Sequence, residues 1–206
     1  VFTDMFAWLE LIAALIEAHP ETLFVIRAHP DEMRPGTKKQ SRESVRDWVH
    51  ERGLHERDNV VFIDSGEYVS SYALVHLAHF VMVYNSSIGL EATLLGVPVL
   101  CGGKARYTAY DTVFFPQSVG EYQKHAEDFL EADEIPVPPE FIHQARRFLY
   151  YQLFKTGLPF VEFLEDHPVK GYVQLKEFPI EALRPENAPA IRVLIEGLTG
   201  NGDFLV

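Results

Sequence analysis

Tyr84-Asn85-Ser86-Ser87-Ile88-Gly89-Leu90-Glu91-Ala92-Thr93-Leu94-Leu95-Gly96-Val97-Pro98-Val99-Leu100 reads as a strand end, a small polar turn, a short helix and a second buried strand. The run that leads into it, Phe80-Val81-Met82-Val83-Tyr84, is apolar throughout, as a parallel strand covered on both faces must be. Asn85, Ser86 and Ser87 are all favoured N-cap types, and Gly96 stands where a helix end wants positive φ. The unpaired N–H groups of such a helix start, with two serine hydroxyls, offer a place for a phosphate. Glu91, one turn into the helix, is placed to accept hydrogen bonds from sugar hydroxyls. The plainer reading of the same residues is a capped helix between two strands, with no ligand at all.

Outward from this stretch the alternation is regular. Upstream, an opening helix ends near His19-Pro20 and is followed by the strand Thr22 to Arg27, a polar loop from Ala28 to Lys39, and a helix from about Ser41 to Arg52. Asn59 to Asp64 reads as a strand, Ser70 or Ser71 caps a helix through Leu77, and His79 to Tyr84 is the next strand. Downstream, Val97 to Cys101 is a strand, Thr112 to Phe115 a short one, and Ser118 to Leu130 a helix in which Glu121 can complete a capping box. Strands and helices alternating at these lengths predict an α/β fold, a doubly wound parallel sheet with helices on both faces. Ligands of such sheets bind beyond the carboxyl ends of the strands, at the switch point. The loop after Arg27, the turn at Asn85 and the loop after Cys101 all fall at that edge.

From Glu131 the pattern changes. An acidic, proline-containing connector leads to a helix over Pro139 to Phe154, then an irregular stretch after Gly157-Leu158-Pro159, then a helix from about Ala188 to Leu198. The expected division is 1–132 for the nucleotide-binding-type sheet domain and 133–206 for a helical C-terminal extension. The chain opens directly in a helix, whereas an opening helix of an α/β fold usually follows a strand; a first strand, and a preceding domain, are therefore expected to be absent from the sequence.

Composition narrows the function classes. With 47% apolar residues in 206, the chain can bury a real core. A formal charge of −12 argues against a nucleic-acid partner, which needs clustered cations. One cysteine, Cys101, excludes an internal disulfide and fits a reducing compartment such as the cytoplasm. The most apolar stretch, Phe2 to Ala18, is interrupted by Asp4, Glu10 and Glu17 and has helical rather than membrane-spanning character. No His/Cys/Asp spacing reads as a metal site.

Ile26-Arg27-Ala28-His29-Pro30-Asp31-Glu32 carries a second chemical signal. Pro30 ends the strand and restricts His29 to extended backbone, which fixes where the imidazole points. A histidine there can donate to a phosphate oxygen, and Arg27 and Arg34 can add charge-assisted donors. Two further His-Pro pairs, at His19 and His167, read as a helix end and a loop.

Together, His29-Pro30 and Asn85-Ser86-Ser87-x-Gly89-Leu90-Glu91-Ala92-x-x-x-Gly96-x-Pro98-Val99 resemble the capsular polysaccharide biosynthesis glycosyltransferases, which include bacterial Kdo transferases. Asn59-Val60, Ser70-Ser71-Tyr72 and Gly103-Lys104-Ala105-Arg106-Tyr107 look like the same family, and the resemblance covers roughly residues 2 to 125. It implies the C-terminal, donor-binding half of a GT-B enzyme, with a Rossmann-like sheet. It implies a nucleotide-sugar donor such as CMP-Kdo as substrate, with no separate cofactor and no bound metal. By the same resemblance His29, with Pro30 and Arg27, meets the donor phosphate; Asn85, Ser86, Ser87 and Gly89 form the phosphate-binding helix start; Glu91 faces the ribose; and Lys104, Arg106 and Tyr107 line the loop near sugar or acceptor. The acceptor would be a glycan or glycolipid, the catalytic base would come from an N-terminal GT-B domain, and the whole protein would work at the inner face of the membrane. Rival readings are a UDP-sugar 2-epimerase, a teichoic-acid glycerophosphotransferase, and a non-catalytic α/β module that binds a protein partner.

Overall fold

The structure is a computed structural model that describes residues 1–30, 32, 43–169 and 172–206. The expected helix start at Ser41, together with Asp31 and Arg34, lies outside the described residues. Two compact units divide at Ala145, Val1–Ala145 and Arg146–Val206; the junction expected from the sequence stood near residue 133.

In the first unit, α1 (Met5–Ala18) begins where Asp4 leaves the helix in extended backbone and its carboxylate accepts from the Ala7 N–H at 2.8 Å. That satisfies one of the helix's orphan donors. Trp8, Leu9, Ile12, Ala13, Leu15 and Ile16 form its buried stripe. β1 (Phe24–Arg27) pairs in parallel with β2 (Val60–Ile63), with Phe24 opposite Val60 and Arg27 opposite Ile63. α2 (Val45–Glu51) connects them. α3 (Ser71–Leu77), capped by the Ser70 hydroxyl, leads to β3 (Val81–Val83), which pairs in parallel with β4 (Val99–Cys101) across α4 (Ile88–Leu94). α5 (Val119–Glu131) follows. The α/β class with parallel strand pairs is what the alternation predicts.

The helices divide between the two faces of the strand pairs. Glu10 of α1 accepts from the Trp48 indole of α2 at 2.9 Å, and the Trp8 indole donates to Tyr122 of α5 at 2.8 Å. So α1 lies between α2 and α5 on one face, over a core that takes in Phe24, Val60 and Leu100. α4 lies on the other face, where Gly89 sits against Val83 and Val99. Trp8, near the start of α1, packs at Gly102 and Tyr84, while Asn59 just before β2 donates to the carbonyls of Ile16 and His19 at the end of α1. The helix therefore begins over the carboxyl ends of β3 and β4 and ends beside the amino end of β2, and the two strand pairs run the same way. The pairs β1–β2 and β3–β4 are two separate two-stranded parallel sheets.

Two expectations are corrected. The strand expected over Thr112 to Phe115 is a single parallel bridge from Phe114 to Leu100. Pro116 brings no N–H to a ladder, and the Thr112 hydroxyl turns to the Tyr107 carbonyl at 2.8 Å. In the second unit the stretch expected to be irregular holds an antiparallel hairpin, β5 (Leu164–Asp166) and β6 (Val173–Leu175). Its signal is weak because its residues are mostly exposed on both faces, so no polar–apolar alternation was required of them. α6 (Pro139–Phe154) crosses the division at Ala145; Phe141 near its start packs edge-on to Phe114. α7 (Pro189–Leu198) ends the second unit's regular structure.

Candidate functional site

The candidate site is built from the loops that leave β1 and β3. On the β1 side, Ala28 is buried and its N–H donates to the Ile63 carbonyl at 3.0 Å, which holds the strand end in place. His29 and Pro30 follow at the surface, both exposed. The His29 carbonyl accepts from the Glu32 N–H at 2.9 Å. Glu32 is buried and its carboxylate accepts from Val45 N–H, capping the start of α2 at 2.8 Å. Burial holds its pKa above the ordinary carboxylate value, in part offset by that hydrogen bond. Arg27 is half-buried, and its guanidinium donates to the Val69 carbonyl at 3.3 Å, tying β1 to the loop before α3.

On the β3 side, Asn85 and Ser87 are exposed and Ser86 is half-buried. Ser87 occupies the N-cap position in helical backbone and its hydroxyl makes no capping bond. The turn is instead braced from below: the Tyr107 hydroxyl donates to the Ser86 carbonyl at 2.6 Å, and the Gly89 N–H donates to the same carbonyl at 3.1 Å. A Cβ on Gly89 would stand 2.7 Å from the Tyr107 oxygen and 2.9 Å from Val83. Only glycine lets α4 sit this close to the sheet. Gly96 ends the helix with φ of 81°, as its sequence position leads one to expect.

The loop after β4 is fixed by the same contacts. Gly102 and Gly103 donate to the carbonyls of Val83 and Tyr84, and a Cβ on either would collide with Trp8 or with Tyr84. Cys101 donates its thiol to the Tyr84 and Gly103 carbonyls, both at 3.2 Å, and burial pushes its pKa up to about 11. Lys104 and Arg106 are exposed, and among the described residues neither forms an ion pair with a carboxylate. Tyr107 differs from them: it is 4% exposed, its hydroxyl is committed to the turn, and burial holds its proton far more tightly than usual.

Glu91 is half-buried one turn into α4 and accepts a short hydrogen bond from the Tyr72 hydroxyl of α3. That bond raises the Tyr72 pKa above its ordinary value. Tyr72 had no role assigned from the sequence; the adjacent serines that open α3 are the signal that places it near α4. A second feature missed from the sequence is the Arg46–Asp64 ion pair at 2.6 Å, at the carboxyl end of β2. Among the described residues, surface hollows lie elsewhere, for example between α1 and α2 around Glu10, Ala14 and Arg52, and around Phe115, Gln117 and Phe141.

The model of the capsule polysaccharide biosynthesis protein family matches residues 3–134, well over half of the chain and within the first unit. The chain belongs to that family. Both candidate loops, the one at His29 and the one at Asn85, fall inside the part that defines membership in the capsule family. Protein FixF of Sinorhizobium fredii (strain NBRC 101917 / NGR234) is similar, 30% identical over 117 residues. The aligned part is 57% of this chain and 25% of FixF, so the match covers about a quarter of that relative's length. No solved structure matches the chain. Among the described residues, no helix is long and apolar enough to cross a membrane.

Proposed function

We propose that the first unit is the nucleotide-sugar-binding half of a GT-B glycosyltransferase of capsular or surface polysaccharide synthesis, using a CMP-activated donor such as CMP-Kdo. The observation that supports the reading is that the loops carrying His29 and Asn85–Ser87 follow the parallel-paired strands β1 and β3, in a member of the capsule family. Doubly wound sheets hold their ligands beyond the carboxyl ends of their strands. The donor phosphate lies between the His29 ring and the Ser86–Ser87 turn, and the ribose reaches Glu91, displacing or sharing its Tyr72 contact. Lys104 and Arg106 supply positive charge at the rim, which a chain of net charge −12 needs locally to hold an anion.

In this mechanism the bond between the anomeric carbon and the phosphate oxygen breaks as an acceptor hydroxyl attacks. The departing nucleotide phosphate carries the developing negative charge, and fixed donors stabilise it where it forms. The acceptor, a glycan or glycolipid, and the base that takes its proton belong to a second, N-terminal domain. The whole protein works in the cytoplasm, at the inner membrane face.

Calorimetric titration with CMP, UDP, GDP and CDP tests the reading. CMP-selective binding that disappears in His29→Ala and in Ser86→Ala/Ser87→Ala is the expected result. CDP selectivity would overturn it for a glycerophosphotransferase, and UDP selectivity for a sugar epimerase. No binding by any of the four would contradict a nucleotide site in this unit.

A further inference from the structure

One side-chain hydrogen bond joins α3 to α4 beside the candidate loops, and its polarity is one-sided. Tyr72, in the first turn of α3, donates its hydroxyl proton to Glu91 Oε2. A phenol has one proton to give, so the Tyr72 oxygen is left with lone pairs alone, and a carboxylate has only lone pairs to begin with. Among the described residues neither Glu91 Oε1 nor the Tyr72 oxygen takes any other hydrogen bond. Tyr72 is 52% exposed and Glu91 is half-buried, so a ligand can reach both. What the pair offers it is two neighbouring acceptors and no donor.

Each partner is also positioned independently of the other. Buried Leu90, Ala92 and Thr93 flank Glu91 and seat α4, with Gly89 against Val83 and Val99. The start of α3 is held by the Ser70 hydroxyl, which accepts from the Ala73 N–H at 3.4 Å, and by the Val69 carbonyl, which accepts from the Arg27 guanidinium at 3.3 Å. Val69 and Tyr72 are three residues apart, a reach of at most about 11 Å. The segment from Val69 to Tyr72 therefore runs from the end of β1, where Arg27 offers donors only, to α4, where the pair offers acceptors only. A nucleotide has the complementary polarity: a phosphate that only accepts, and a ribose whose adjacent hydroxyls donate.

We propose that Tyr72 is a specificity-determining residue of the donor site, acting with Glu91 as an acceptor pair that reads the vicinal diol of the nucleotide's ribose. The inference rests on the nucleotide reading given above. One ribose hydroxyl donates to Glu91 Oε1 and its neighbour to the Tyr72 oxygen, while the Tyr72–Glu91 bond is kept and holds the carboxylate in place. A phosphate is disfavoured at the same spot, since it brings negative charge and no donor, and this sets the direction of the nucleotide across the two loops. A deoxyribose leaves one of the two acceptors unmatched.

The test is calorimetric titration of the 206-residue chain, and of its Tyr72→Phe and His29→Ala variants, with CMP, 2′-deoxy-CMP and 3′-deoxy-CMP. The unaltered chain is expected to bind CMP about three- to tenfold more tightly than either deoxynucleotide, the effect of one hydrogen bond. In Tyr72→Phe the preference over one deoxynucleotide disappears and the preference over the other stays. A phenol that merely ties α3 to α4 would instead weaken all three ligands alike, and that result would overturn the proposal. His29→Ala separates the two readings, because it lowers the affinity for all three nucleotides without changing their ratios. If CMP binding depends on His29 but Tyr72→Phe changes no ratio, the diol assignment falls and the nucleotide site stands. If the unaltered chain binds no CMP, both fall.

Discussion

Gly89 shows how much a single hydrogen can decide. Its missing side chain lets α4 lie against Val83 and Val99 and lets Tyr107 reach the Ser86 carbonyl, so packing and turn geometry meet at one atom. Gly89→Ala is expected to cost about 1–3 kcal/mol, read as a lower urea midpoint, because Tyr107 and Val83 must both move. Tyr107→Phe leaves the Ser86 carbonyl with one donor fewer and is expected to cost about 1 kcal/mol by the same measurement. Burial also makes the fold sensitive to high pH. The Cys101 thiol and the Tyr107 hydroxyl both have raised pKa values, Cys101 from 9.0 to about 11. A raised acid favours the folded state below its unfolded pKa, and that advantage is lost as pH rises through the folded one. The urea midpoint should therefore fall between about pH 9 and pH 11, and Cys101→Ala should flatten part of that fall; an unchanged profile would mean the thiol is not held as described.

At the scale of elements, the helix starts were legible in residue types and their details were not. Ser118 caps α5 by accepting from the Glu121 N–H at 3.2 Å, as the spacing foretells, but the Glu121 carboxylate reaches back to the N–H of Gln117 at 2.8 Å, one residue earlier than a capping box requires. Ser118→Ala should cost about 1 kcal/mol, seen as faster amide exchange in the first turn of α5. Ser87, an equally good cap type, makes no such bond, because its backbone is already helical. Sequence reasoning could place β3, α4 and β4 because a buried parallel strand is apolar on both faces. It could not separate the strand expected at Thr112 from a bridge, since the deciding contact runs from Thr112 to Tyr107, five residues back. The β5–β6 hairpin was illegible because a strand without a buried face leaves no periodic trace.

Across the molecule, charge and exposed surface follow the same division. The first unit holds the family match and the loops of the candidate site, whereas Tyr150, Tyr151, Leu153 and Phe154 in the second are about half exposed or more. His29-Pro30 and the serine turn each follow a strand, β1 and β3, as the alternation of elements implies. Tyr107 was readable as part of the same loop but not as a buried brace, since nothing in its neighbours distinguishes a ring that lines a crevice from one that supports it. The central claim is that ligand binds where β1 and β3 end. The most direct measurement is a titration of the isotopically labelled chain with CMP, followed by amide and imidazole chemical shifts. Shifts concentrated at Ala28–His29, Asn85–Ser87 and Lys104–Arg106, with the second unit silent, are expected. Shifts confined to the hollow around Gln117 and Phe141, or none at saturating CMP, would contradict it.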